Sequence, residues 1–168
     1  MSDPTPRSRS LLEFSVIFAV IGTISWFGLN GLAELQELGE KTAVEMTMRN
    51  VQTGLRYAMA GHFARGEDVR IVEMVGSNPV QWLEKPPAGY QGECSVPMQL
   101  PAGGWCFDAK QRELLYRPAV ARNLTIEGGG QILHWSIKAV RGSNGTDQVE
   151  SVRVTPVIWY RWFGAGGA

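Results

Sequence analysis

A single carboxylate, Glu13, stands at the threshold of a long apolar run in the stretch RSRSLLEFSVIFAVIG, residues 7–22. An ionised side chain at the centre of a bilayer costs about 2.5–3.5 kcal/mol on insertion scales, so Glu13 either stays outside the hydrocarbon or meets a partner within it. Few other groups in the chain could do chemistry. The two cysteines, Cys94 and Cys106, close a short loop in CSVPMQLPAGGWC, and the two histidines, His62 and His134, lie far from them in sequence. The spacing is not C-x-x-C, so a disulfide is favoured over a metal site, with two unpaired core cysteines as the alternative. No G-x-S-x-G elbow, phosphate loop, metal-spaced His/Glu cluster or Cys-His signature occurs. The expectation is a non-catalytic protein without cofactor or metal. GSNGTDQ, residues 142–148, could offer oxygen ligands to calcium, but its single acid fits a plain hairpin turn better.

Sixteen basic and sixteen acidic residues cancel, which leaves no general attraction to nucleic acid. The apolar residues are unevenly spread. From Phe14 to Ala33 there is no charge, and about 20 such residues cross a bilayer as a helix. A cleaved signal peptide ending near Gly22 is the rival reading, but no small-x-small site precedes a mature start, and the helical pattern continues past the span. Arg7 and Arg9 precede the run while Glu34, Glu37 and Glu40 follow it, so the N-terminus is expected to be cytoplasmic and the rest exported. Disulfides persist in that compartment.

The elements that would position these groups follow from periodicity. Met48, Val51, Leu55, Ala58, Met59 and His62/Phe63 recur at the three-and-four spacing of one helical face, and no proline interrupts residues 7–78. This predicts one helix from about Leu11 to Ala64, with GLNG at 28–31 and Gly39 as points of bending or loosening. Residues 66–101 mix prolines and glycines and read as loops, with Trp82, Leu83 and Tyr90 pinned to a core. GGWCFDAKQRELLYRP reads as a hairpin whose turn Asp108 caps, and QILHWSIKAV and VESVRVTPVIWYRWF as two further strands, the last shifting phase at Pro156. His134 alternates onto the face opposite Leu133 and Trp135. Asn123-Leu-Thr and Asn144-Gly-Thr match the glycosylation pattern, a short motif of little weight by itself. The predicted fold class is α+β: a long N-terminal helix, first transmembrane and then amphipathic, packed on an antiparallel meander of about four strands. Its predicted divisions are a cytoplasmic leader at 1–10, a span at 11–33, an amphipathic half-helix at 34–65, a β-rich domain at 66–163 and a flexible tail at 164–168.

A membrane-starting helix that runs into an amphipathic helix and then a meander resembles the type IV pilin and pseudopilin superfamily. SLLEFSVIFAVIGTI is similar to the family's N-terminal signature, a short basic leader followed by an apolar segment with a glutamate near its start and a glycine nine residues on, here Glu13 and Gly22. MRNVQTGLRYAMAGHFARGE resembles the second half of the family helix, and GGWCFDAKQRELLYRP the strand-turn-strand of its minor members. By the family's register the leader would end at Ser8, before Arg9, where glycine and an apolar residue are usual; Asn30 stands where a proline often follows the glycine. The resemblance implies a pilin-like fold and a filament subunit of a type II secretion or type IV pilus-like system. Its partners would be other pilin or pseudopilin subunits, assembly-platform proteins and a prepilin peptidase, with methylation of the new amine after cleavage. The location would be the bacterial inner membrane, single-pass, with a periplasmic domain. Glu13 would pair with an N-terminal amine during assembly; a first-turn helix residue paired with Arg9 is the alternative. At the level of function, the alternative is a membrane-anchored periplasmic binding or scaffolding domain that never enters a filament.

Overall fold

The computed structural model describes residues 7–67, 70–94, 99–141 and 149–167. With no proline between Pro6 and Pro79, nothing stops the first helix, and α1 runs unbroken over Arg7–Ala64, a length of about 87 Å. It passes through the glycines of GLNG and through Gly39 without interruption. Its C-terminal half covers a sheet, as the stripe predicts: Val51 and Leu55 are fully buried, Met59 nearly so, while Met48 and Ala58 lie half-buried beside them.

After α1 come the short helix α2 (Arg70–Glu73) and a 3-10 turn over Pro79–Trp82, capped by the Asn78 side chain on the Val80 amide. The turn presses hard against α1. A Cβ on Gly54 would collide with the Trp82 carbonyl oxygen, which explains a glycine in the middle of a helix that it weakens by about 1 kcal/mol. Trp82, Leu83 and Tyr90 are each half-buried against the core.

Among the described residues eight strands follow: β1 (Tyr90–Glu93), β2 (Gly104–Asp108), β3 (Glu113–Arg117), β4 (Leu124–Ile126), β5 (Leu133–Arg141), β6 (Val149–Pro156), β7 (Tyr160–Trp162) and β8 (Ala165–Gly167). They form a five-stranded sheet in the order β1-β2-β3-β5-β6 and a three-stranded sheet in the order β4-β7-β8. The expected four-strand meander is corrected in two places. First, β1 joins the edge of the sheet parallel to β2; its prolines end at Pro87, so Tyr90–Glu93 can pair, and Cys94 continues the pairing by donating to the Phe107 carbonyl. Second, the C-terminal segment is two strands. β6 ends at Pro156, which has no amide to extend a ladder, and the chain crosses to the second sheet as β7. Ala165–Gly167, expected as part of a tail, pair with β7.

The expected hairpin forms as β2–β3, with Gly104 opposite Arg117 through Asp108 opposite Glu113. Asp108 Oδ1 accepts from the Lys110 and Gln111 amides at 2.9 and 3.1 Å. The 142–148 turn lies outside the described residues. His134 sits on the face opposite Leu133 and Trp135, and its Nδ1 lies 2.8 Å from Glu113 Oε2 on the neighbouring strand. β6 is the other edge of the sheet, and α1 covers it. Gln52 accepts from the Val154 amide at 3.0 Å and donates to the Val152 carbonyl at 3.4 Å, while Met59 Sδ accepts from the Val152 amide.

Cys94 and Cys106 are disulfide-bonded, with Cα atoms 5.2 Å apart, and pack with Leu100, Leu115 and Ile132 as a small core on the outer side of the sheet. Closing this loop constrains the unfolded chain by on the order of 2–3 kcal/mol. Reduction is expected to lower stability by that amount, and thiol labelling of denatured, unreduced protein should find no free thiol; two reactive thiols per chain would contradict the pairing.

Candidate functional site

The domain covers one face of the C-terminal half of α1 and leaves the N-terminal half uncovered. The described large apolar side chains between Leu11 and Leu32 are each 51–72% exposed and lie on every side of the helix, Phe14, Phe18, Trp26 and Phe27 among them. The most apolar stretch of this helix has no buried residue, and it is long and apolar enough to cross a membrane. A helix apolar on all sides requires an apolar environment on all sides.

Glu13 is exposed and makes no ion pair among the described residues. Ser8 and Arg9 fall in the first turn of α1, and the suggested Glu13–Arg9 pair lies outside the described side chains. Around Gly22 there is open space, with nothing within 4 Å of an added Cβ. Nine residues separate Glu13 from Gly22, which on a regular helix is a rotation of about 180°. They occupy opposite faces, and one neighbouring helix cannot meet both squarely.

What fixes this helix to the domain is a pair of carboxylates that the sequence reading had treated as flanking charges. Glu37 is fully buried. Its Oε1 accepts from the Asn123 amide at 2.8 Å and from the Trp162 indole at 3.0 Å, and its Oε2 accepts from Asn123 Nδ2 at 3.0 Å. One turn on, Glu40 Oε1 accepts from the Tyr116 hydroxyl and the Ala119 amide, both at 2.6 Å, and Oε2 from the Val120 amide at 3.0 Å. Six donors thus converge on two acids without a cation. Of the three acids used to orient the span, only Glu34 is a free surface charge in this arrangement. The signal was present in the sequence: Glu37, Glu40, Val44, Met48, Val51 and Leu55 continue one three-and-four stripe. Asn123, noticed only within Asn-Leu-Thr, is the main partner of the buried acid.

Burial and the adjacent Glu40 carboxylate push the Tyr116 hydroxyl far above the usual tyrosine range. Burial also raises Tyr160, with Glu45 adding and a hydrogen bond with the Trp135 side chain opposing. An unfolded tyrosine ionises near pH 10, so the folded state holds these protons longer than the unfolded one. Stability from Tyr116 is therefore complete below about pH 10 and is lost as pH climbs from there toward the raised folded value. The thermal midpoint is expected to hold through about pH 9 and fall above it. Tyr116→Phe should start lower at neutral pH and fall less steeply; an equal slope in both proteins would rule out this origin.

No family model, curated protein or solved structure matches this chain. Function must be read from geometry. Among the described residues no group of three His, Cys, Asp or Glu side chains could hold a metal. A groove of about 580 Å³ runs between α1 and the 3-10 turn, lined by Asn50, Thr53, Tyr57, Trp82, Leu83, Glu84 and Lys85 with Gly54 at its floor. It contains no histidine, cysteine or serine.

Proposed function

We propose that this chain is a non-catalytic filament subunit, a pseudopilin or minor pilin-like protein of a type II secretion or type IV pilus-like apparatus. The observation that carries the reading is the helix itself: an unbroken α1 whose N-terminal half is apolar and exposed on every side, rigidly joined through Glu37 and Glu40 to a domain that leaves it bare. The free helix half serves first as a membrane span and then as the packing element of a helical bundle. The disulfide suits a periplasmic domain, and Arg7 and Arg9 suit a cytoplasmic N-terminus in the inner membrane. Assembly-platform proteins and a prepilin peptidase cutting between Ser8 and Arg9 belong to the same reading.

Glu13 supplies the polar contact. In a bundle it would be drawn from water toward an amine or guanidinium, where attraction is stronger than at a surface. Because Glu13 and Gly22 face opposite ways, two different neighbours are needed to use both, which favours a multi-subunit bundle over a plain anchor. Glu13→Ala is expected to insert and fold like wild type but to lose contact with neighbouring subunits in membrane crosslinking or two-hybrid assays, with Glu13→Asp intermediate. Wild-type assembly by Glu13→Ala, with the leader intact by N-terminal mass spectrometry, would instead make the chain a membrane-anchored scaffolding domain.

A further inference from the structure

We propose that the loop Ala119–Asn123 is a docking surface for anionic phospholipid headgroups, with Arg122 as the side chain that meets the phosphate. The inference rests on the reading of Phe14–Ala33 as a membrane span. If the hydrocarbon ends near Ala33, Glu37 stands about 6 Å and Glu40 about 10 Å beyond it along α1. The headgroup layer occupies about 5–7 Å on each side of the hydrocarbon. Glu37 holds the Asn123 amide within that layer, and Glu40 holds the Ala119 and Val120 amides just beyond its outer edge. The Arg122–Asn123 end of the loop is therefore tied to the helix at headgroup level, with Ala119 and Val120 on its aqueous side.

Its composition fits the place. Ala119, Ala121 and Arg122 are exposed and Val120 half-buried, so small apolar side chains flank one cation. Arg122 makes no ion pair among the described residues. A guanidinium fork matches phosphate oxygens in a bidentate way. Glu34, exposed on α1 at the hydrocarbon edge, is an acid and offers nothing to an anion, so the loop and not the helix carries the attraction. The opposite end of the domain is far from the bilayer: the Asp108–Arg112 turn lies beside Gly76 and Ser136, and the Gly76 amide donates to the carbonyl of Ile137, which clusters with Leu55 and Met59 of α1. Docking here would fix the tilt of the domain on the membrane before assembly.

The test uses the full chain in vesicles of phosphatidylethanolamine with phosphatidylglycerol. A fluorescent probe is placed at Ala121→Cys, at Lys110→Cys on the far turn, or at Val20→Cys in the span; the native cysteines are bonded, so labelling is selective. The probe at 121 is expected to be quenched by headgroup-nitroxide lipids and shielded from aqueous iodide, unlike that at 110. One basic residue near an anionic surface corresponds to about a fivefold change in binding, so Arg122→Glu or neutral phosphatidylcholine vesicles should remove most of the shielding. A probe at 121 as accessible to iodide as that at 110, with the probe at 20 protected, overturns the docking and leaves the span intact. An iodide-accessible probe at 20 overturns the span and the docking with it. Shielding at 121 that survives Arg122→Glu and grows with protein density identifies a second copy as the partner and likewise overturns the proposal.

Discussion

Glu37→Ala is expected to destabilise the folded chain by about 3–5 kcal/mol. The reasoning starts from its surroundings. Glu37 is fully buried, and three donors, the Asn123 amide, Asn123 Nδ2 and the Trp162 indole, converge on it. Hydrogen bonds to an ionised acceptor contribute about 1.5–3 kcal/mol each, and a buried donor left without a partner costs about 1–3 kcal/mol. Alanine removes all three acceptor contacts at once and leaves a void beside Trp162. Glutamine keeps an accepting oxygen and most of the volume, so Glu37→Gln should lose less, about 1–2 kcal/mol. Denaturant unfolding of the detergent-extracted chain, followed by tryptophan fluorescence, measures both. A loss below about 1 kcal/mol for Glu37→Ala would mean that water enters and replaces the carboxylate. Proteolysis would add a local readout, since the 118–123 segment should become cleavable before the sheet does.

Leu55→Ala is the second large effect, at about 2–5 kcal/mol. Leu55 is fully buried with Val51, Ile71, Met74, Ile137 and Val152 around it. Truncation forfeits transfer energy and opens a cavity bounded by α2 on one side and the β5–β6 pair on another, elements too well fixed to close around it. Tyr57, two residues on and 77% exposed, gives the contrast: Tyr57→Ala should change stability by no more than about 0.5 kcal/mol. Near-equal losses at the two positions would mean that α1 does not pack on the sheet through the Leu55 face.

The helix and its buried face were legible because a stripe at three-and-four spacing over a proline-free stretch has one physical solution. The β2–β3 hairpin was legible for the same reason, with alternation on either side of a turn and an aspartate to cap it. Strand β1 was not, since two prolines and two glycines near Tyr90 mask a short edge strand that depends on the disulfide and on backbone pairing with β2. The split between β6 and β7 was half visible: Pro156 marked the shift, but which sheet the chain joins afterwards is decided by Trp162 reaching Glu37, a contact 125 residues long in sequence. Glu37 and Glu40 were misjudged because acids beside an apolar run look like solvated flanks. Only donors brought from residues 116–123 and 162 make burial of such charges tolerable, and these are invisible to local pattern.

The Gln52 amide on the β6 edge has a consequence for solubility. An open edge strand is a template for any other extended chain, and a protein concentrated in a membrane or a filament meets many such chains. By accepting from Val154 and donating to Val152, one side chain imitates the ladder of an absent neighbour and removes the template. Copies of this chain are thereby steered away from strand exchange through the β6 edge.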